Sequence, residues 1–141
     1  MFKYLRNING PYHPTVINEF MGFADSMGAD AIRIGTLCSL NADGKLNGVC
    51  DWAKPMFLPL DVKEDDEEKL IKCIRIDKGA VLLADVHPEA DLDKLVVGAL
   101  VGFGEEIDYY AIYVDVVNEG YLFEIIDDSE KEKGRVTVVV I

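Results

Sequence analysis

The sequence contains few of the residues that mark exported, membrane-spanning or nucleic-acid-binding proteins. Its 141 residues include three cysteines, two histidines and 14 Lys and Arg side chains, against 26 Asp and Glu, for a net charge of −12. An odd number of widely spaced cysteines fits a reducing compartment better than a secreted disulfide framework. The low pI of about 4.4 disfavours binding to nucleic acid or to an anionic membrane, because phosphate contacts need Lys and Arg.

Long apolar runs are also missing. The longest, Leu95–Gly104, has about half of the ~20 residues that a membrane span needs, and it contains three glycines. The start of the chain, residues 1–6, lacks the apolar stretch and cleavage site of a secretory signal peptide. We therefore expect a soluble protein that is not exported by the general secretory route and has no membrane partner. With half of its residues apolar and only five prolines, the chain is expected to fold as a single domain.

Candidate catalytic and metal-binding residues are few. Cys38, Cys50 and Cys73 could form a zinc site with His13 and His87, but no CxxC or HxxxH spacing supports one. Each cysteine lies in an apolar, strand-like run, so we predict buried free thiols. Both histidines are expected at the surface, next to prolines. Because no nucleophile with a positioned base stands out, the sequence predicts no enzyme, no catalytic or metal-binding residue and no cofactor.

The negative charge is concentrated in the later part of the chain. Residues 1–60 carry five acidic and five basic side chains, residues 61–104 carry eleven and six, and residues 105–141 carry ten and three. Such asymmetry can mark a neutral docking face and an acidic, solubilising face, although solvation of a compact domain explains the charge more simply. The acidic run at residues 64–68 is interpreted as a solvated loop or the first turn of a helix rather than as a cation site.

Turn signals and apolar alternation predict a mainly β chain. Residues 1–14 are interpreted as an extended N-terminal arm, ordered by a partner or by the rest of the fold, because prolines and a turn signal interrupt them. Residues 15–141 form the predicted β domain. Within it, residues 15–28 fit either a helix or a strand, and we favour extended structure.

The later segments alternate between strand-like runs and turns. The predicted strands are Ala31–Leu40, Lys45–Cys50, Leu70–Ile76, Ala80–Val86, Tyr109–Val117, Tyr121–Ile126 and Arg135–Ile141, with a short helical turn at Ala90–Leu95. The prolines around Met56–Leu60 confine it to an edge strand or an extended connection. Strands at ~8–12-residue spacing with at most short helices predict a small single-domain β-barrel or β-sandwich.

The order of several segments adds a resemblance. These are the strand Ala31–Leu37, the turn Leu40–Leu46, the Lys-Pro element Lys54–Pro59, the strand Ile71–Ile76 and the closing Gly134–Ile141. The arrangement resembles the head-decoration (capsid cement) proteins of tailed bacteriophages. The likeness covers roughly residues 16–141 and lies in pattern and order rather than in one motif.

The resemblance implies a non-enzymatic virion structural protein. Such a protein is made in the cytoplasm of the bacterial host and lies on the capsid surface, where it binds the major capsid protein and stabilises the assembled head. A second copy of the chain is a further partner left open. Residues 1–60 are expected to supply most of the docking surface; the candidate anchors are Tyr4, Tyr12, Phe20, Trp52 and Phe57.

Two other functions remain open. One is an acidic mimic of DNA that inhibits a nucleic-acid-binding protein; it requires carboxylates in duplex-like rows, whereas here they cluster in predicted loops. The other is a small ligand-binding or catalytic β-barrel, which requires an apolar pocket with convergent polar groups.

Overall fold

The computed structural model describes residues 1–8, 16–23, 32, 34–40, 42, 44–47, 55–61, 68–104 and 113–141. The chain divides into two compact units. Unit 1 comprises Met1–Tyr12, Asp77–Glu106 and Ile112–Ile141; unit 2 comprises His13–Ile76 and Ile107–Ala111. Each unit is built from β-strands, which confirms the prediction of a mainly β fold.

The described residues form eleven strands and two short 3₁₀ turns. The strands are β1 (Phe2–Asn7), β2 (Val16–Phe23), β3 (Ser39–Leu40), β4 (Leu46–Asn47), β5 (Met56–Asp61), β6 (Glu68–Ile76), β7 (Ala80–Val86), β8 (Leu100–Phe103), β9 (Tyr113–Asp115), β10 (Phe123–Asp127) and β11 (Arg135–Val140). The 3₁₀ turns are Leu92–Lys94 and Lys131–Lys133. In these ranges no helix has the length and hydropathy that crossing a bilayer requires.

Unit 1 contains a closed five-stranded barrel. Strands β7, β11, β10, β8 and β9 are hydrogen-bonded in that order, and β9 then pairs with β7 to close the ring. This closing pair is parallel and short: Asp85 lies opposite Tyr113, and Val86 lies opposite Val114. Of the two predicted architectures, barrel and sandwich, the barrel is therefore confirmed. The C-terminal strand β11 is paired on both sides.

The barrel interior is filled by alternate residues of its strands. Its fully buried side chains include Leu82, Val101, Val114, Phe123, Ile125, Val136 and Val138. Burial of a side chain of this size stabilises a fold by roughly 1.5–3 kcal/mol relative to leaving it exposed, so the interior is the main source of stability of this unit. The predicted strand Tyr121–Ile126 begins two residues later, at Phe123, and Tyr121 is exposed.

The first part of the N-terminal segment is a strand. Phe2–Asn7 is strand β1, paired antiparallel with the first part of β7. The Phe2 ring is buried and lies 6.0 Å from the ring of Phe103 and 5.8 Å from that of Phe123. Aromatic burial and the hydrogen-bond ladder therefore order this segment through the rest of the fold. The second part of the predicted arm, residues 9–14, lies outside the described residues.

Unit 2 contains a three-stranded sheet, ordered β2-β6-β5, and the small hairpin β3-β4. The favoured interpretation of residues 15–28 as extended is confirmed over Val16–Phe23. Strand β5 lies at the edge of this three-stranded sheet, and Phe57 within it also forms an antiparallel bridge with Cys38. The unit has a core of buried residues: Ile32, Cys38, Leu46, Phe57, Ile71 and Cys73.

One strand prediction in unit 2 is wrong in its extent. Within the described part of Ala31–Leu40, only Ser39–Leu40 is a strand, and Ile34 and Gly35 form a turn. Residues 36–39 are all buried, so the chain is covered on both sides here. The alternation of apolar and polar residues in the sequence therefore does not reflect a strand with one exposed face. The predicted strand Tyr109–Val117 is likewise observed only at Tyr113–Asp115; residues 109–112 lie outside the described residues.

We expect Gly102→Ala to destabilise the barrel because the backbone of a neighbouring loop approaches this glycine closely. An added Cβ would lie 2.6 Å from the carbonyl oxygen of Gly120 and 2.9 Å from Cγ2 of Val117. Overpacking of this kind costs roughly 1–3 kcal/mol, measurable by urea unfolding. The double variant Gly102→Ala/Val117→Ala should recover only part of the loss, because the carbonyl contact remains. A loss below about 0.5 kcal/mol in the single variant would contradict the close approach.

Candidate functional site

The structure describes the side chains of two of the five predicted docking anchors, Tyr4 and Phe57. Phe57 is 3% exposed and belongs to the core of unit 2, so it is removed from the set of surface anchors. Tyr4 is half-buried on β1 in unit 1. Phe20 lies on β2, but its side chain is outside the described residues, as are Tyr12 and Trp52. Phe57 was named because it is an aromatic residue of the charge-balanced segment 1–60, and neither property reports whether a side chain is buried.

Unit 1 instead exposes an apolar turn that the sequence did not single out. We call Val96–Leu100 the valine turn. The amide of Ala99 donates to the carbonyl of Val96 at 2.9 Å, and Gly98 has φ +91°, the positive φ of the third position of a type II turn. Among its large apolar residues Val97 is the most exposed, at 60%, and Val96 and Leu100 are each exposed at 43%. The valine turn therefore presents apolar side chains to solvent.

The valine turn is held firmly in place. The amide of Gly98 donates to the carbonyl of Ile125 at 2.8 Å, and the amide of Ile125 donates to the carbonyl of Ala99 at 2.9 Å. Leu95, directly before the turn, is fully buried. A fixed turn loses little conformational entropy when it docks, and this favours use of its apolar tip as a contact surface. The sequence feature that could have indicated this exposed turn is the pair of valines directly before a glycine.

A second exposed surface lies on β1 and on the residue directly after it. We call Lys3, Leu5, Arg6 and Ile8 the β1 patch. Leu5 is exposed at 45% and Ile8 at 52%, and both basic residues are exposed. Residues 1–8 contain no acidic side chain although the chain carries a net charge of −12. The β1 patch is therefore apolar and locally basic.

A small pocket lies beside β11 in unit 1. It has a volume of about 150 Å³ and is lined by Leu83, Asp127, Ser129, Glu130, Arg135, Val136 and Thr137. Ligand pockets commonly have volumes of ~300–1,000 Å³, so this pocket offers little room for a small-molecule ligand. Its size and polar lining give no support to the ligand-binding alternative.

The charged groups around this pocket are held by local contacts. Side-chain and backbone hydrogen bonds from Ser129 keep the pKa of Asp127 below its usual value, so this carboxylate stays ionised and is a poor general acid. Arg135 Nη2 lies 3.4 Å from Glu130 Oε2 in an exposed ion pair. The Nε atom of Arg135 is buried and has no hydrogen-bond partner among the described residues.

His87 is buried, contrary to the expectation of a surface histidine. Its Nδ1 accepts a hydrogen bond of 3.1 Å from the amide of Glu89, and its ring meets that of Tyr113 edge-on at 5.7 Å. Its own amide donates to the carbonyl of Val114 at 3.0 Å. These contacts give His87 a structural role at the point where β7 and β9 close the barrel. His13 lies outside the described residues.

Two of the three cysteines are buried in the core of unit 2 and form no disulfide, as predicted. These are Cys38 and Cys73; Cys50 lies outside the described residues. Burial raises the pKa of the Cys73 thiol to about 11. In the described ranges, no three His, Cys, Asp or Glu side chains are grouped so as to hold a metal ion.

No family model, curated protein or solved structure matches this chain. Its function is therefore inferred from the surfaces of the two units and from the order of its segments.

We expect the stability of the protein to fall as the pH rises from 9 towards 11, in part through Cys73. The thiol has its ordinary pKa of 9.0 when unfolded and about 11 when folded, so the unfolded state releases its proton first and is favoured at alkaline pH. Urea unfolding of the unaltered protein and of Cys73→Ala at several pH values measures this contribution. The difference between the two should shrink as the pH rises. Parallel stability curves would show that Cys73 does not contribute.

We expect Arg135→Lys to leave stability unchanged or to raise it by up to about 1 kcal/mol. The exposed ion pair with Glu130 contributes at most about 1 kcal/mol, whereas a buried donor without a partner costs roughly 1–3 kcal/mol. Lysine keeps the positive charge and removes the Nε donor. Chemical unfolding is the measurement, and Glu130→Gln, expected to change stability by less than about 0.5 kcal/mol, is the control. A loss above about 1 kcal/mol would mean that the guanidinium has an important partner.

Proposed function

We propose that the chain is a non-enzymatic structural protein that decorates the outer surface of a bacteriophage capsid by binding the major capsid protein. Its location in this proposal is the virion surface, after synthesis in the cytoplasm of the bacterial host. The order of segments in the sequence supports this family assignment, and β-strand units held by apolar cores provide the stable scaffold that a docking protein needs.

The docking face of this proposal lies in unit 2. Residues 1–60, most of which belong to this unit, have balanced charges in an otherwise acidic chain. Within them, Ile34 is exposed at 50% in a turn and Leu60 at 39% near the end of the edge strand β5. The exposure of these two apolar side chains in the neutral segment is the observation that carries the proposal, because a partner can cover them without desolvating many charges.

Deletion of residues 1–14 is a poor test of docking, and point variants of exposed residues are a better one. It would remove β1, which pairs with β7 and buries Phe2. Loss of binding after such a deletion would not separate docking from damage to unit 1.

We expect the protein to be present on mature particles of the phage whose genome encodes it, and to co-sediment with particles stripped of it. The double variant Ile34→Asp/Leu60→Asp should bind these particles at least about tenfold more weakly, because two charges would be buried at the interface. Val116→Asp, at an equally exposed apolar position of unit 1, is the matched control and should bind normally.

Mass spectrometry of purified particles and cryo-electron microscopy locate the protein. Its absence from mature particles, or turnover of a substrate, would overturn the proposed function. Strong, salt-sensitive binding to a basic DNA-binding enzyme, with no binding to particles, would favour the DNA-mimic alternative.

A further inference from the structure

The β1 patch and the valine turn lie at opposite ends of unit 1. Strands β1 and β8 both run antiparallel to β7, since β8 is antiparallel to β9 and β9 is parallel to β7. Their side chains meet where the Phe2 ring contacts that of Phe103. Leu100 precedes this contact by three residues along β8, and Leu5 follows it by three residues along β1. At ~3.3 Å per strand residue, the two surfaces are separated by roughly 20 Å.

The two surfaces have complementary chemistry. Both expose apolar side chains, but the β1 patch is basic through Lys3 and Arg6. The residues just before the valine turn are acidic: Glu89, Asp91 and Asp93 are all exposed, with Lys94 the one basic residue among them. A contact between the two surfaces would bring opposite charges together around an apolar centre, which is the usual arrangement of a protein interface.

A contact between two valine turns, or between two β1 patches, is less favourable than a contact between one of each. Two valine turns would juxtapose acidic residues, and two β1 patches would juxtapose basic ones, and like charges oppose association. Because the valine turn and the β1 patch lie at opposite ends of unit 1, the two surfaces of one copy cannot contact each other. The complementary partner offered by the chain itself is the other surface of a second copy.

We propose that copies of this chain associate head to tail, the valine turn of one copy docking on the β1 patch of the next. Such a heterologous contact joins copies in a series, which closes into a ring or continues as a filament according to the rotation between neighbours. The contact is small, so association is weak and becomes visible at high protein concentration. This contact uses two surfaces of unit 1, whereas the proposed capsid-docking face belongs to unit 2.

Sedimentation equilibrium of the purified protein tests this association. The average mass should rise above the 15.7 kDa of the monomer as the concentration increases, and the rise should diminish at high salt because exposed charges are then screened. A constant monomer mass up to about 1 mM, near the weakest affinity that such a measurement detects, would overturn the proposal.

Two variants and their mixture test the head-to-tail geometry. Val97→Asp spoils the valine turn and Leu5→Asp spoils the β1 patch, so each should be monomeric alone. Each variant keeps one intact surface, and these surfaces match, so the mixture should form dimers and nothing larger. Association of either variant by itself, or no association in the mixture, would contradict the proposed contact.

Charge exchange provides an independent readout that retains the apolar side chains. Lys3→Glu should weaken association, and the double variant Lys3→Glu/Asp93→Lys should restore it, because every contact then pairs the two exchanged charges. Failure of this restoration would exclude the proposed charge pairing. Ile34→Asp is the matched control: it should leave association unchanged, and an effect would place the contact on unit 2 and overturn the proposal.

Discussion

The pairing of β7 with three other strands is the constraint on which unit 1 depends. One edge of β7 is paired with β11, while the other is shared between β1 along its first part and β9 along its last two residues. The parallel β7–β9 pair converts an open sheet into a closed barrel. His87 supports this closure through its amide and its ring. The buried side chains of five strands thereby face one interior, where apolar burial stabilises them together.

Closure also determines what unit 1 presents to solvent. Because Leu95 and the backbone of Ile125 anchor the valine turn, its apolar tip cannot fold back onto the core. On β1, burial of Phe2 fixes the strand and leaves Leu5 and Ile8 exposed. Where exposed apolar side chains form a contiguous patch, the patch can mark a site of contact with another protein. The proposed binding to a capsid protein and the proposed head-to-tail association both depend on such contacts.

The sequence predicted elements more successfully than surfaces. The strands at Leu70–Ile76 and Ala80–Val86 were recovered almost to the residue, because apolar β-forming runs bounded by turn signals are local properties. Phe57 and His87 were expected at the surface and are buried. Their exposure depends on segments that are distant in sequence, and no periodicity in the residues around them reports it.

By itself, the amino-acid sequence determined the mainly β composition, the positions of most strands and the separation of a charge-balanced segment from acidic ones. These follow from local backbone preference and from residue counts. Only the tertiary structure decided that β1 belongs to the sheet, that the barrel closes through β9 and that the valine turn stays exposed. Each of these depends on pairing between residues far apart in the chain, whose register is selected by the shared interior rather than by either strand alone.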